Sequence, residues 1–173
     1  AATGAARGRR LVRSVEEGLR AAGVSAADVR DVIISHMHYD HAGNHDLFPN
    51  ARYHVQDAEM AYCTGRAMCH GALRGAYGAG DIQAMVGRLF ADRVVFHDGE
   101  AELAPGLTLH RVGGHTRGLQ VVRVHTARGW VVLASDALPT ERATVEYRAT
   151  AQLSLPPGYS SGRFIEQRGE LRS

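Results

Sequence analysis

Residues 31–44 read DVIISHMHYDHAGN, an apolar run followed by three histidines and an aspartate within six positions. The run at 32–34 is β-branched and continuous, which predicts a buried strand. Side chains two apart on an extended segment point to the same side, so His36 and His38 can bind one metal ion together where the strand ends. This stretch therefore predicts a strand that delivers a pair of metal ligands to one edge of a sheet.

Two more ligand-type side chains, Asp40 and His41, lie further round the same turn. They would face a neighbouring position, and this spacing is typical of two metal ions about 3.5–4 Å apart. Imidazole and carboxylate ligands favour zinc, with iron, manganese and cobalt as alternatives. The competing interpretation is a histidine-rich surface loop that binds metal adventitiously. We favour a functional site because four ligands follow one buried strand.

The remaining histidines are scattered along the chain, and histidine is commonly a partly buried packing residue. We expect no ligand among them: His45, His54, His70, His97, His110 and His125.

Length and composition indicate one ordinary globular domain. The chain has 173 residues, of which 45% are hydrophobic and 22% charged, and domains typically contain roughly 100–200 residues. No apolar stretch approaches the roughly 18–20 residues that cross a bilayer, so we expect no membrane partner. The first residues carry arginines without an apolar segment behind them, which is unlike a secretory signal. We therefore expect a cytoplasmic protein.

The charge pattern argues against nucleic-acid binding. The 20 basic residues, all arginine, are scattered among 18 acidic ones, and the net charge is only +2. A surface that binds the phosphates of nucleic acid needs a continuous basic stripe.

The two cysteines predict no metal site. Cys63 and Cys69 lie six positions apart without zinc-type pairing, and we expect free thiols in a reducing compartment.

Local patterns predict helices first and mainly sheet afterwards. Ser14 and Glu17 form a capping-box pattern before a helix over 15–22. The apolar spacing predicts further helices over 56–62 and 81–90, and the Gly-rich segment 69–80 between them is expected to be loop. Short β-branched runs are expected as strands, at 51–55, 93–97, 101–103, 107–112, 119–124 and 130–135.

The amino-acid composition of the chain changes after Ala137. Residues 138–173 are rich in Thr, Ser, Pro, Arg and Glu, and we expect an atypical, disordered tail there. Residues 1–137 would then form the folded domain.

Three motifs carry a resemblance to the metallo-β-lactamase superfamily. SHMHYDHAGN at 35–44 resembles its metal-binding signature, GGHTRGLQVV at 113–122 resembles the loop of the next ligand, and VVLASDA at 131–137 resembles the strand that ends in a bridging aspartate. HYDHAGN, LFPNARYHVQDAEMAY and GGHTRGLQVVRV are most similar to the N-acyl homoserine lactonases. The resemblance implies an α/β fold, the αββα sandwich of two sheets between helical layers, incomplete here at both ends.

The resemblance also implies a ligand set and a reaction. Two divalent ions, in the first place zinc, would activate water to open the lactone ring of a small-molecule substrate. Asp40 would return a proton to the leaving alkoxide. Tyr39 either lines the acyl pocket or only packs. The implied ligands of the first ion are His36, His38 and His115, and those of the second are Asp40, His41 and Asp136, with Asp136 shared.

Two departures from the lactonase pattern leave alternatives open. The sequence has no histidine after His125 to act as the last ligand of the second metal, and Pro139 stands where lactonases have a tyrosine. Tyr147 and Tyr159 have the wrong spacing for that role. The chain is thus either a lactonase-like hydrolase or an inactive or single-metal remnant of the family. A thioesterase or another ester hydrolase of the same fold is a further alternative.

Overall fold

The computed structural model describes Gly8 and residues 12–137. Within this part of the chain, a parallel sheet precedes an antiparallel one. The parallel sheet has the order β1-β2-β3, and its strands are Asp31–Ile33, Arg52–Gln56 and Val94–His97. The antiparallel sheet has the order β4-β5-β6-β7, and its strands are Glu100–Ala104, Leu107–Arg111, Gln120–Thr126 and Gly129–Leu133.

Helices precede and connect the parallel strands. The capping box at Ser14 begins the first of them, with reciprocal hydrogen bonds between Ser14 and Glu17. In chain order the α-helices are α1 (Val15–Ala21), α2 (Tyr39–Ala42), α3 (Asp57–Cys63), α4 (Gly71–Arg74) and α5 (Ala79–Phe90). Short 3₁₀ turns cover Ala26–Asp28, His45–Leu47, Arg66–Cys69 and Ser135–Ala137.

The predicted elements recur with small shifts at their ends, and two predictions were wrong. The strand before the histidine-rich turn was expected to be buried, but Asp31 is exposed and Val32 and Ile33 are only partly buried, because β1 has a single sheet neighbour, β2, in the described part of the chain. The segment 69–80 was expected to be loop, but it contains α4 and the start of α5. Gly71 is the first residue of α4 and Gly75 follows its last, and residues 72–74 between them are good helix formers, so the two glycines do not prevent the helix. The predicted disorder of residues 138–173 lies outside the described residues.

One face of the parallel sheet packs against helices. Tyr53 and Val55 of β2 are fully buried beside Met85 of α5 and Met60 of α3. These side chains recur at strand and helix spacing, so each element contributes one apolar face. This packing fixes the sheet on its helical layer and leaves its other face for the second sheet.

A pair of buried glutamines joins the two sheets. Gln56 Nε2 of β2 donates to Gln120 Oε1 of β6 at 2.9 Å. Gln120 Nε2 donates in turn to the carbonyls of Ile34 at 2.8 Å and His54 at 3.1 Å, and its backbone N–H donates to Ser35 O at 3.0 Å. The second sheet therefore holds the chain where it leaves β1, directly before the histidine-rich turn.

No helix in residues 12–137 is both long and apolar enough to cross a bilayer. The cytoplasmic location and the lack of a nucleic-acid partner stay predictions.

Candidate metal centre

The histidine-rich turn leaves the carboxyl end of β1, and its imidazoles converge. His36 is fully buried, and its ring centroid lies 4.5 Å from that of His38 and 4.1 Å from that of His41. His115 joins them from the loop before β6, with its ring 4.7 Å from that of His38. Four histidines from two distant segments thus share one edge of the sheet.

Four of the predicted ligands lie close enough to surround one ion. One ligand atom each of His36, His38, His115 and Asp136 lies within 4.8 Å of all the others. Asp136 Oδ2 is 3.5 Å from Nε2 of His36 and 3.4 Å from Nε2 of His115. Three imidazoles and one carboxylate are a donor set that zinc sites use.

The other two predicted ligands flank this group. His41 Nε2 lies 3.1 Å from Asp136 Oδ2. Asp40 is more exposed, and its Oδ2 lies 3.9 Å from His41 Nε2. Among the described residues, Asp40 and His41 do not join the mutually close group, and the predicted second metal position around them stays a prediction. The roles of Asp40 and His41 stay predictions.

Two of the imidazoles, those of His36 and His38, are held in the state that binds metal. Burial lowers the pKa of His36 to about 3, and burial with the nearby His115 lowers the pKa of His38 to about 4. Both rings are therefore neutral at neutral pH, with a lone pair available. The buried Nε2 of His36 has no hydrogen-bond partner, which costs free energy unless something else satisfies it. A divalent ion at this position would satisfy it, so the residues fit a metal.

Two serine hydroxyls orient the histidine rings. Ser35 Oγ lies 3.2 Å from Nδ1 of His36, and Ser135 Oγ lies 3.3 Å from Nδ1 of His41 and 3.0 Å from Ser35 Oγ. A proton on Nδ1 donates to such an oxygen and leaves Nε2 for a metal, as partners of ligating histidines commonly do. Ser135 has φ 49°, a conformation rare outside glycine that concentrates at functional sites.

Paired glycines shape the loop that carries His115. Gly113 and Gly114 have φ values of 63° and 90°, which side chains rarely tolerate. The N–H groups of Val112 and Gly113 both donate to Leu119 O, at 2.9 and 3.0 Å. The loop is thereby closed at its base, and His115 projects from its tip toward the histidine-rich turn.

A buried acid that the sequence interpretation missed links this loop to the turn. Glu59 of α3 is fully buried and accepts hydrogen bonds from residues on both sides of the centre. The signal that could have found Glu59 is its helical spacing, because Glu59, Met60 and Cys63 share the inward face of α3. An acid on an otherwise apolar helix face indicates a satisfied, structurally specific role.

A cleft of about 600 Å³ opens beside His115. Its walls are mostly apolar, with two arginines, and Arg117 lies over the ring of Tyr62 at 5.9 Å. The volume is within the range of small-molecule sites, roughly 300–1,000 Å³. The lining residues from α3 and the segment after it are Ala58, Ala61, Tyr62, Arg66, Ala67, His70 and Leu73.

The fold and this cluster agree with a family comparison. The model of the metallo-β-lactamase superfamily matches residues 3–163, and the chain belongs to that superfamily. Its members carry the αββα fold that the three motifs predicted.

The chain is similar to individual members of the superfamily, among them a curated protein and a solved structure. The N-acyl homoserine lactonase AiiB of Agrobacterium fabrum is 34% identical over 131 residues, which are 73% of this chain and 47% of the relative. A structure of B. thuringiensis AiiA with N-decanoyl-L-homoserine at its active site aligns with a TM-score of 0.57 and 28% identity, over 71% of this chain and 44% of AiiA. The chain spans about half the length of the curated relatives it matches.

A more distant structure supports the fold alone. A putative metallo-β-lactamase from Thermotoga maritima aligns with a TM-score of 0.62 and 23% identity, over 80% of this chain and 68% of that protein.

Proposed function

We propose that the chain belongs to a metal-dependent hydrolase that opens the lactone ring of N-acyl homoserine lactones. The observation that carries the proposal is the group of three imidazoles and one carboxylate whose ligand atoms lie within 4.8 Å of one another. The similarity to AiiB supports the choice of substrate, because that relative is a lactonase of the same superfamily.

The ligand assignment is part of the proposal. His36, His38, His115 and Asp136 would hold one zinc ion, and Asp40 and His41 would hold a second that shares Asp136. A zinc ion supplies a Lewis acid and lowers the pKa of a bound water to near 7. The serine contacts at Nδ1 of His36 and His41 favour this assignment, because they leave the Nε2 atoms facing Asp136.

The other residues would bind the substrate and move a proton. Asp40 is exposed beside the cluster, so its carboxyl group can reach the ring oxygen of a bound lactone and return a proton as the ring opens. The apolar wall formed by Ala58, Ala61 and Leu73 offers space for an acyl chain next to His115. Tyr39 begins α2 and is half-buried, and its contact with the acyl chain stays a proposal.

A direct assay tests this function. The full chain, loaded with zinc, is incubated with N-acyl homoserine lactones of different chain lengths, and the carboxylic acid released by ring opening is titrated. We expect turnover that falls by at least about 100-fold in His115→Ala. His125→Ala serves as the matched control, because this histidine lies on β6 and contacts Trp130 instead of the cluster. Equal rates in wild type and His115→Ala would contradict the proposal.

A single-metal form is the second candidate. Only one mutually close set of ligands occurs in residues 12–137, and Asp40 lies 3.9 Å from the nearest His41 nitrogen. A protein with one ion and no turnover of lactones would support this candidate. Turnover of a thioester instead of a lactone would place the chain with other ester hydrolases of the fold.

A further inference from the structure

The carboxylate of Glu59 has four hydrogen-bond donors in a fully buried position. Oε1 accepts from the backbone N–H of Met37 at 2.8 Å and from the Tyr77 hydroxyl at 3.3 Å. Oε2 accepts from the Thr116 hydroxyl at 2.6 Å and from the backbone N–H of Gly118 at 3.1 Å. A buried carboxylate is costly unless its oxygens are satisfied, and here both oxygens accept two bonds.

The donors on the Oε1 side either belong to the histidine-rich turn or contact it. Met37 is the residue between His36 and His38, so its N–H fixes the backbone from which both imidazoles project. The Tyr77 ring contacts the His38 ring edge-on, with centroids 4.6 Å apart. Both donors on this side therefore act on the position of the first two proposed ligands.

The donors on the Oε2 side belong to the loop of the third proposed ligand. Thr116 follows His115 directly, and Gly118 lies two residues further in the same loop. Gly118 also approaches α3 so closely that a Cβ atom there would overlap the backbone of Glu59. The single carboxylate thus spans the gap between two segments that are remote in sequence.

We infer that Glu59 is a positioning residue for the metal centre, and that its carboxylate sets the separation between the His36–His38 turn and the His115 loop. The inference rests on the proposed function only in taking these three histidines as ligands. Glutamine cannot replace the carboxylate, because one of its two head-group atoms is a donor that would face two further donors. Glu59→Gln therefore keeps the volume of the side chain and separates the two segments.

The experiment measures metal affinity and ligand geometry on the full chain. Zinc affinity is determined by competition with a chromophoric chelator, and the visible absorption spectrum of the cobalt-loaded protein reports the ligand arrangement. We expect Glu59→Gln to weaken zinc binding about 10–100-fold and to change the cobalt spectrum. Glu102→Gln, the same substitution at an exposed position of β4, is the matched control and is expected to change neither.

A second variant keeps the test decisive if Glu59→Gln does not fold. Thr116→Val removes one donor to Oε2 with almost no change in shape, and we expect it to weaken zinc binding about 3–10-fold. Combined with Glu59→Gln, it should add little, because both changes act on the same contact.

The results separate this inference from the proposed function. Wild-type affinity and an unchanged cobalt spectrum in folded Glu59→Gln or Thr116→Val would overturn the inference, as would a wild-type chain that binds neither metal. A wild-type chain that binds zinc but opens no lactone would refute the proposed function, while weaker binding in the two variants would still support the positioning role.

Discussion

Nε2 of His115 lies 3.0 Å from Nδ1 of His38, although 77 positions separate the two residues along the chain. A hydrogen bond between two ring nitrogens at this distance needs a hydrogen on only one of them, and both are atoms of the kind that ligate zinc. The contact exists because the turn after β1 and the loop before β6 meet at the same edge of the parallel sheet. In open α/β sheets this edge is where ligands commonly bind.

The first prediction is that His38 and His115 act as one unit in metal binding. His38→Ala and His115→Ala should each weaken zinc binding by at least about 100-fold, and the double variant should bind little more weakly than either. Chelator competition measures the affinities, with His125→Ala as the control. Additive losses in the double variant would mean that the two histidines serve separate sites.

The second prediction concerns the glutamine pair between the sheets. Gln120→Leu removes the side-chain donor of the Ile34 carbonyl inside a buried interface, whereas the His54 carbonyl keeps the backbone N–H of Ile34 as a second donor at 3.0 Å. We expect the free energy of unfolding to fall by roughly 1–3 kcal/mol, since one orphaned buried acceptor costs about that much. Urea denaturation measures the loss. Gln83→Leu on the exposed side of α5 is the control, and a similar loss there would refute the explanation.

The third prediction compares two glycines. Gly118→Ala forces the His115 loop away from Glu59, because the added methyl group would overlap the α3 backbone. We expect it to destabilise the protein by roughly 2–4 kcal/mol and to weaken zinc binding. Gly87→Ala in α5 meets no atom within 4 Å and should stabilise the helix by about 0.5–1 kcal/mol. Thermal unfolding measures the stability of both variants. A Gly118→Ala variant as stable as wild type would contradict the close packing of the loop on α3.

The fourth prediction is an acid dependence of the metal-free fold. Burial lowers the pKa of His36 from 6.5 to about 3 and that of His38 to about 4. The unfolded chain therefore binds more protons than the folded one below pH 6.5, so stability decreases as the pH falls from 6.5 toward about 4. With two such histidines, the free energy of unfolding should change by roughly 1–3 kcal/mol per pH unit. The lower value applies if solvent screening at the partly exposed His38 removes most of its contribution.

Urea denaturation of the chelator-treated protein at a series of pH values measures this slope. His36→Asn should lower it by roughly one proton, about 1.4 kcal/mol per pH unit. A slope that is the same in wild type and His36→Asn would show that His36 is not held neutral by the fold.

The regular elements were predictable from the sequence because their causes are local. The capping box at Ser14 begins a helix where the pattern places it, and the β-branched run at 32–34 overlaps β1, the strand that precedes the histidine-rich turn. The β-branched run at 119–124 likewise appears as a strand, β6. Such patterns depend on neighbours within a few residues, which a single sequence displays.

The ligand group was predictable to the extent that its motifs are contiguous. His36 and His38 follow from spacing alone, whereas His115 and Asp136 needed the resemblance to a family. The structure brings these four together. Their roles as ligands, and those of Asp40 and His41, stay predictions that the metal measurements address.

The supporting contacts were not predictable, because they join segments that have no common local pattern. Glu59 bonds to Met37 and Thr116, and Gln120 bonds to Ile34, across separations of 22 to 86 positions. Only the approach of the two sheets and α3 brings these partners together. The helical turn Gly71–Arg74 was missed for a different reason. Its first residue and the residue after it are glycines, and a glycine-rich composition is typical of loops.

The most direct test of the account is the number of metal ions bound per purified chain. Elemental analysis for zinc, iron, manganese and cobalt after mild desalting gives this number for wild type, His36→Asn, His115→Ala and the control His125→Ala. We predict two zinc ions per wild-type and control chain and loss of zinc in the two ligand variants. One ion per wild-type chain would support the single-metal form. No ion in wild type, or equal metal content in wild type and His115→Ala, would contradict a metal centre at this cluster.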